Sequence, residues 1–409
     1  MVSSTARFST SPTQRRALIG IAGSQLLVLT LWFSAAAVAP QLEEVWSLDS
    51  GGTAALTLAV QIGFVLGALG SAVANLADLV PSRRLFVVAG LFGAAVNGSL
   101  VMVDGDSFAV ALTLRLLTGV ALAGVYPSGL KVMAGWFTKG RGMALGVLVG
   151  ALTVGSAGPH LIRGLGVDWQ GVVLGASALA IVGVVVMAVV VTDGPHETAP
   201  SRFAWNRIGS VLRNRGVRLA TYGYLGHMWE LYAMWTWTAV FLAASARASG
   251  SSTAWVSNAT FVVIAVGGIG AWAAGSWADR YGRTIVAGGA MAVSGGCALA
   301  SPLVFGAPPV IVVTLFVVWG FTVVADSAQF SAIVTETAAD AERGTALTLQ
   351  TAVGFLLTLV TIRGVPLLAD LWGWQWAFPI LAIGPILGIA AMARLRGSSE
   401  SAALAGGRG

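Results

Sequence analysis

Twelve stretches of about twenty or more mostly apolar residues, joined by short polar segments, run through this chain, and each is long enough to cross a hydrocarbon core of roughly 30 Å as a helix. They lie near 17–40, 53–76, 84–103, 107–130, 141–163, 169–192, 217–244, 253–277, 284–304, 309–335, 344–369 and 375–394. In lipid the backbone must satisfy its own hydrogen bonds, which leaves helices or a closed barrel. Stretches this long, without strict apolar and polar alternation, predict helices. Composition demands the same solvent: of 409 residues, 56% are hydrophobic and only 10% charged, too few polar groups to coat a water-soluble protein of this size.

Basic residues set the orientation. With the N-terminus in the cytoplasm, 19 of the 23 Lys and Arg fall on or at the boundary of the cytoplasmic side. Only Arg163, Arg247 and Arg363 fall outside, and Arg115 lies within a stretch. Both termini are therefore expected in the cytoplasm, with the protein in the plasma (inner) membrane. The net charge of +6 is accounted for by these loop anchors, and no groove-reading motif or zinc spacing accompanies it, so nucleic acid is not an expected partner. Ala37, Val38 and Ala39 imitate a signal-peptidase site, but the preceding apolar run is longer than a signal-peptide core and Pro40 follows the cut, so the segment reads as a span. The single cysteine, Cys297, excludes an internal disulfide.

The only long polar interruption, 193–216, divides the chain into related halves. An apolar segment leading to Gly70 to Asp78 with Arg83 and Arg84 returns as Gly275-Ser276-Trp277-Ala278-Asp279-Arg280-Tyr281-Gly282-Arg283. Arg141-Gly142 opens the fifth stretch as Arg343-Gly344 opens the eleventh, and Ile162-Arg163-Gly164 is matched by Ile362-Arg363-Gly364. The expected organisation is a tail at 1–16, a six-helix bundle at 17–192, a linker at 193–216, a second bundle at 217–396 and a tail at 397–409. Parallel repeats of this kind enclose a central site and rock about it.

The passage from Gly275 resembles the loop between the second and third helices of each half of major facilitator superfamily transporters. The first copy is degenerate, with Ser82 where the family has glycine. Arg115, Gly119, Gly124 and Pro127 resemble the family's fourth-helix motif, and Gly150, Gly155, Gly158 and Pro159 its fifth-helix motif, so that the resemblance covers nearly the whole chain. It implies an all-α membrane protein of twelve helices in two pseudo-symmetric bundles that moves a small-molecule substrate by alternating access. It also implies that Asp78 and Asp279, with Arg83, Arg84, Arg280 and Arg283, hold the cytoplasmic gate; the arginines would equally serve as positive-inside anchors.

No covalent catalyst is visible. The chain has no Gly-Lys pair, hence no Walker-type phosphate loop and no expected use of ATP, and His160, His196 and His227 form no metal-ligating pair. No enzyme activity, metal or cofactor is expected, and energy would come from a gradient, most simply of protons.

Ionisable residues inside hydrocarbon are expensive and therefore candidates. Glu230 lies roughly 20 Å into the seventh helix, near mid-membrane, with His227 one turn earlier on the same face. With Asp326 in the tenth helix they are the proton-coupling candidates; packing between helices is the alternative. Arg115 would bind an anionic solute or assist proton transfer, or else brace neighbouring helices. Trp32 and Trp235, at comparable depths in the first helices of the two halves, and His160 and Gln350 complete the substrate-binding candidates, although packing could equally explain them. Two solute classes follow: a small anion, from Arg115, or a lipophilic or cationic compound exported against protons, from Glu230 and Asp326. A membrane receptor that transports nothing is the reading from another class.

Overall fold

The computed structural model describes residues 11–137, 141–196 and 203–408, with the side chains of Ala77, Asp78, Arg141 and Gly142 outside that description. Every regular element among the described residues is helical. The helices are α1 (Pro12–Leu29), α2 (Ala39–Val45), α3 (Ser50–Val73), α4 (Leu76–Leu79), α5 (Ser82–Gly98), α6 (Phe108–Trp136), α7 (Arg141–Gly164) and α8 (Trp169–Val189). After the polar linker come α9 (Ile208–Arg213), α10 (Arg215–Ala248), α11 (Val256–Tyr281), α12 (Arg283–Val304), α13 (Pro309–Ala325), α14 (Ser327–Thr337), α15 (Arg343–Trp372) and α16 (Ile383–Arg396).

Helix starts follow local chemistry. Ser11 and Gln14 bond reciprocally as a capping box at α1, Asp49 accepts from Gly52 N at α3, Asp168 from Gly171 N at α8 and Asn214 from Val217 N at α10. Gly282 (φ 97°) separates α11 from α12, and Gly373 (φ 82°) ends α15, both in backbone conformations that side chains disfavour.

Ten segments among the described residues are long and apolar enough to cross a membrane. Those ten do not include α1 or α10, the opening helices of the two halves. The first predicted span does not run unbroken from 17 to 40: α1 stops at Leu29, residues 30–35 form turns, and helix resumes at Ala36. The thirty-four-residue α10 is ample in length but carries Arg215, Arg218, His227 and Glu230. The tenth predicted span is likewise interrupted, at Asp326, between α13 and α14.

Within each half, backbone approaches backbone through glycine. A Cβ at Gly63 would overlap the Leu116 carbonyl and one at Gly119 the Val60 carbonyl, locking α3 to α6. Gly270 against the Phe321 carbonyl and Gly320 against the Val263 carbonyl lock α11 to α13 in the same way. The repeat seen in sequence is thus also a repeat of helix crossings, built by small residues as membrane packing favours. Gly119→Ala and Gly320→Ala are each expected to destabilise by roughly 1–3 kcal/mol through overpacking, read as a lowered unfolding temperature in detergent. Gly70→Ala, with nothing near the added carbon, is the matched control.

The bundles meet along two seams, α7 with α11 and α3 with α15. The first and last described residues lie on one face, where Gln14 Nε2 donates to the Trp136 carbonyl and the Arg408 guanidinium donates to that of Asp279. The C-terminal segment does not simply trail away: Ser399–Gly406 coils back, Leu404 is fully buried, and Ala405 N donates to Glu336 Oε2 at 3.2 Å.

Candidate functional site

On the face opposite the termini the halves are clasped together. Ser50 Oγ of α3 donates to Asp370 Oδ2 of α15 at 2.8 Å, Gly164 of α7 packs on Asn258 of α11, and Arg363 lies against Gly51. Beneath this rim sits an aromatic layer contributed by both bundles. The Trp32 ring meets Phe64 (4.9 Å), Tyr232 (5.7 Å) and Phe355 (5.7 Å), while Phe33 meets Trp235 (5.8 Å). Trp32 and Trp235 therefore belong to one cluster, each joined to Tyr232.

Trp32 and Phe33 reach this layer because α1 unwinds just before them, and Arg115 is what occupies the break. Its guanidinium donates to the carbonyls of Leu31 (3.3 Å) and Trp32 (2.7 Å), to Ser34 Oγ (3.0 Å) and to Asn97 Oδ1 (2.7 Å). Asn97 in turn donates to Ser177 Oγ at 3.0 Å and to the Val173 carbonyl at 3.2 Å. Unwound carbonyls in an apolar bundle need partners, and the planar fork of arginine supplies several at once. Of the two roles open to Arg115 in the sequence, its contacts here are those of a brace.

The second bundle holds the acids. Glu230, 1% exposed, accepts from Trp319 Nε1 (2.6 Å) at one carboxylate oxygen and from Ser294 Oγ (2.9 Å) at the other. Ser294 is also within 3.3 Å of the Met291 carbonyl, an alternative acceptor for its proton. His227, one turn before Glu230 on α10, places Nδ1 at 2.7 Å from Asp326 Oδ1 and Nε2 at 3.0 Å from Ser327 Oγ. The Nδ1 contact with Asp326 is close but lacks hydrogen-bond geometry, whereas Nε2 and Ser327 Oγ share a hydrogen bond whose direction follows the tautomer. The interruption between α13 and α14 is what brings Asp326 and Ser327 to opposite sides of this ring. The three coupling candidates thus lie in one neighbourhood.

The gate residues sort differently. Arg283 forms a two-pronged pair with Glu336 (2.6 and 2.8 Å), reaches Gln329 Oε1 at 3.3 Å, and is 3.9 Å from Asp279, whose side chain is 75% exposed. Arg83 donates to the carbonyls of Ala188 and Val191, Arg280 lies over Tyr281, and Arg84 is exposed. Among the described residues, the partners of Arg83, Asp279 and Arg283 belong to their own bundle; the Asp78 side chain lies outside the described residues. Among the described residues, Arg83, Asp279 and Arg283 do not clasp the two halves together on the termini face.

His160 and Gln350 are fully buried, and their side-chain nitrogens and oxygens have no partner among the described residues; the same holds for Gln25, Gln61 and the indole nitrogens of Trp32 and Trp235. Gln25, Gln61, Ser294, Trp319 and Glu336 are not singled out by sequence reasoning. A search for amides within apolar stretches would have found the two glutamines. Ser294 and Trp319 carry no such signal, since small hydroxyls and indoles are common in membrane helices.

This architecture is that of a solute carrier. The chain belongs to the Major Facilitator Superfamily, whose family model matches residues 21–325. It is similar in fold to a bacterial homologue of the human lysosomal transporter Spinster, in an inward-facing unoccupied conformation (14% identity, TM-score 0.68, covering 95% of each chain) and an inward-facing occupied one (13% identity, TM-score 0.69, covering 95% of this chain and 97% of that one). No curated protein matches the chain.

Proposed function

We propose that this protein is a secondary active transporter that moves a small solute by alternating access and is driven by protons, with both termini in the cytoplasm and the chain in the plasma membrane. One observation carries the reading: a carboxylate, Glu230, buried inside the second bundle, gripped by two neutral donors and without a cationic partner among the described residues, one helical turn from the Asp326–His227–Ser327 contacts. Bonds to α12 and α13 would serve packing as well, but a buried carboxylate held only by neutral donors is one that can take up and release a proton. Purified protein in liposomes tests it: solute should accumulate when a pH gradient is imposed and only equilibrate without one. Accumulation untouched by collapsing the gradient would remove protons from the mechanism, and no flux at all would revive the receptor reading.

In this orientation the clasped face is external, and the conformation is closed to the outside. The solute classes then separate on the residues that remain free. An anion would find only Nε of Arg115 without a partner, since Nη1 and Nη2 hold the carbonyls of Leu31 and Trp32, Ser34 and Asn97. Export of a lipophilic or cationic compound is favoured instead by the aromatic layer and the nearby acids, which a proton and a cation could occupy in turn.

Gate substitutions should move the population in opposite directions. Asp279→Asn weakens the loop that is expected to close the cytoplasmic side, so it favours the inward-open form. Asp370→Ala removes the acceptor of Ser50 from the external clasp and favours the outward-open form. Cysteine labelling of cavity positions in a Cys297→Ser background should rise from the cytoplasmic side in the first variant and from the external side in the second. Equal labelling in both would place the gates elsewhere.

A further inference from the structure

The chain enters its second half through a short helix that is held on one side and bare on the other. Val211 of α9 is buried and shares an apolar cluster with Val217, Phe330 and Leu395. Ala204 N donates to Thr345 Oγ1 and Asn214 Nδ2 to the Thr337 carbonyl, both at 3.0 Å, so the segment is fixed to α15 and α14. Its free side carries Trp205, 67% exposed, and Leu212, 57% exposed, seven residues apart along a continuous helical stretch and hence near one face. The apolar stretch of α10 begins only near 217, so these two side chains lie at the membrane boundary rather than within the span.

Arginines surround them. Arg207 and Arg213 bracket α9, Arg215 and Arg218 open α10, and Arg394 and Arg396 close α16, all of them exposed. The end of α16 packs on the start of α10, since Leu395 shares the cluster of Val211 and Val217 and a Cβ at Gly223 would overlap Met392. The six therefore belong to one corner of the termini face. Arg218 donates to the Leu212 carbonyl at 3.3 Å, and Glu400 lies within the field of Arg215. Arg207, Arg213, Arg394 and Arg396 hold no hydrogen bond or ion pair among the described residues. Of the acids on the adjoining elements, Glu336 and Asp340 are committed to Arg283 and Arg343, which leaves Glu342 and Glu400 to offset six arginines.

We propose that α9, with the start of α10 and the end of α16, is a docking surface for anionic phospholipid, its arginines pairing with headgroup phosphates while Trp205 and Leu212 enter the headgroup layer. Charge complementarity selects the occupant. Four or more basic residues clustered beside a span are enough to hold an anionic leaflet, and the guanidinium fork suits phosphate. A soluble polyanion would satisfy the arginines but leave the indole and the leucine in water, whereas the membrane interface takes both kinds of group at once.

The test requires a bilayer but no transport, so its failure leaves the transport reading untouched. Gly209 lies between Trp205 and Leu212, is exposed, and has open space where a Cβ would sit. A nitroxide at Gly209→Cys in a Cys297→Ser background therefore reports the depth of this face, through its accessibility to oxygen against a water-soluble nickel chelate. In nanodiscs, replacing roughly one quarter of the phosphatidylcholine by phosphatidylglycerol should raise that ratio about threefold or more, and high salt should reverse the rise. In native mass spectrometry, Arg207→Gln, Arg213→Gln, Arg394→Gln and Arg396→Gln combined should lower the preference for phosphatidylglycerol over phosphatidylcholine by roughly tenfold or more. The same four positions changed to lysine should keep most of it, and neither set should lower the unfolding temperature in neutral detergent, because exposed arginines without partners add little to stability. A label equally deep in both lipids, a rise indifferent to salt, or a lipid preference that survives the glutamine changes would overturn the proposal. So would binding of polyglutamate with the label left in water, which would make the corner a dock for an acidic protein instead.

Discussion

Glu230→Gln is expected to abolish accumulation of solute against its gradient while leaving downhill exchange intact. The amide preserves the shape of the side chain: it can accept from Trp319 and donate to Ser294, whose own proton then turns to the Met291 carbonyl, so the packing around α10, α12 and α13 persists. What disappears is titration. A transporter that can no longer bind the driving proton equilibrates its solute but cannot concentrate it. The measurement is solute uptake in liposomes with an imposed pH gradient, alongside counterflow with none. Undiminished uphill transport would show that coupling runs elsewhere, with Asp326 and His227 the next groups to test. His227→Ala, by breaking the 2.7 Å contact with Asp326, should change the pH profile of transport if the groups titrate together.

Arg115→Met is expected to be the most destabilising single change in the first bundle, by at least about 3 kcal/mol, because it strands several buried acceptors at once, each worth roughly 1–3 kcal/mol. The carbonyls of Leu31 and Trp32 lose their donors, and Asn97 and Ser34 lose the charge they surround. Arg115→Lys keeps the charge without the fork and should recover only part of the stability. Unfolding temperature and solute affinity separate the roles. A brace lowers the first in both variants, whereas an anion-binding arginine would leave stability largely intact and lose affinity instead.

Much of the architecture is legible in the order of residues. Long apolar stretches dictate helices because lipid offers the backbone no other partners, and the return of Asp279, Arg280 and Arg283 after Asp78, Arg83 and Arg84 announces the repeat. The proton-coupling candidates are legible for the same reason: Glu230 and Asp326 are conspicuous wherever they fall in an apolar run. The role of Arg115 is not. A single buried cation needs a partner, but nothing in the order of residues says that the partner is a stretch of unwound backbone eighty residues earlier. The break itself is hidden too, since residues 30–35 are as apolar as their surroundings and their unwinding depends on a fork reaching in from α6.

The amino-acid sequence by itself determined the solvent, the helical class, the duplication and the place of the ionisable groups within apolar runs, because each follows from hydropathy and spacing along the chain. Only the tertiary structure decided which face is clasped, which ions are partnered and which amides are left over. Those are properties of pairs of helices: Ser50 meets Asp370, and Arg115 meets Leu31 and Trp32, across separations that no local pattern encodes. A polar side chain in a membrane helix must find a partner, but whether that partner is a neighbour or a solute is settled only when the helices are assembled.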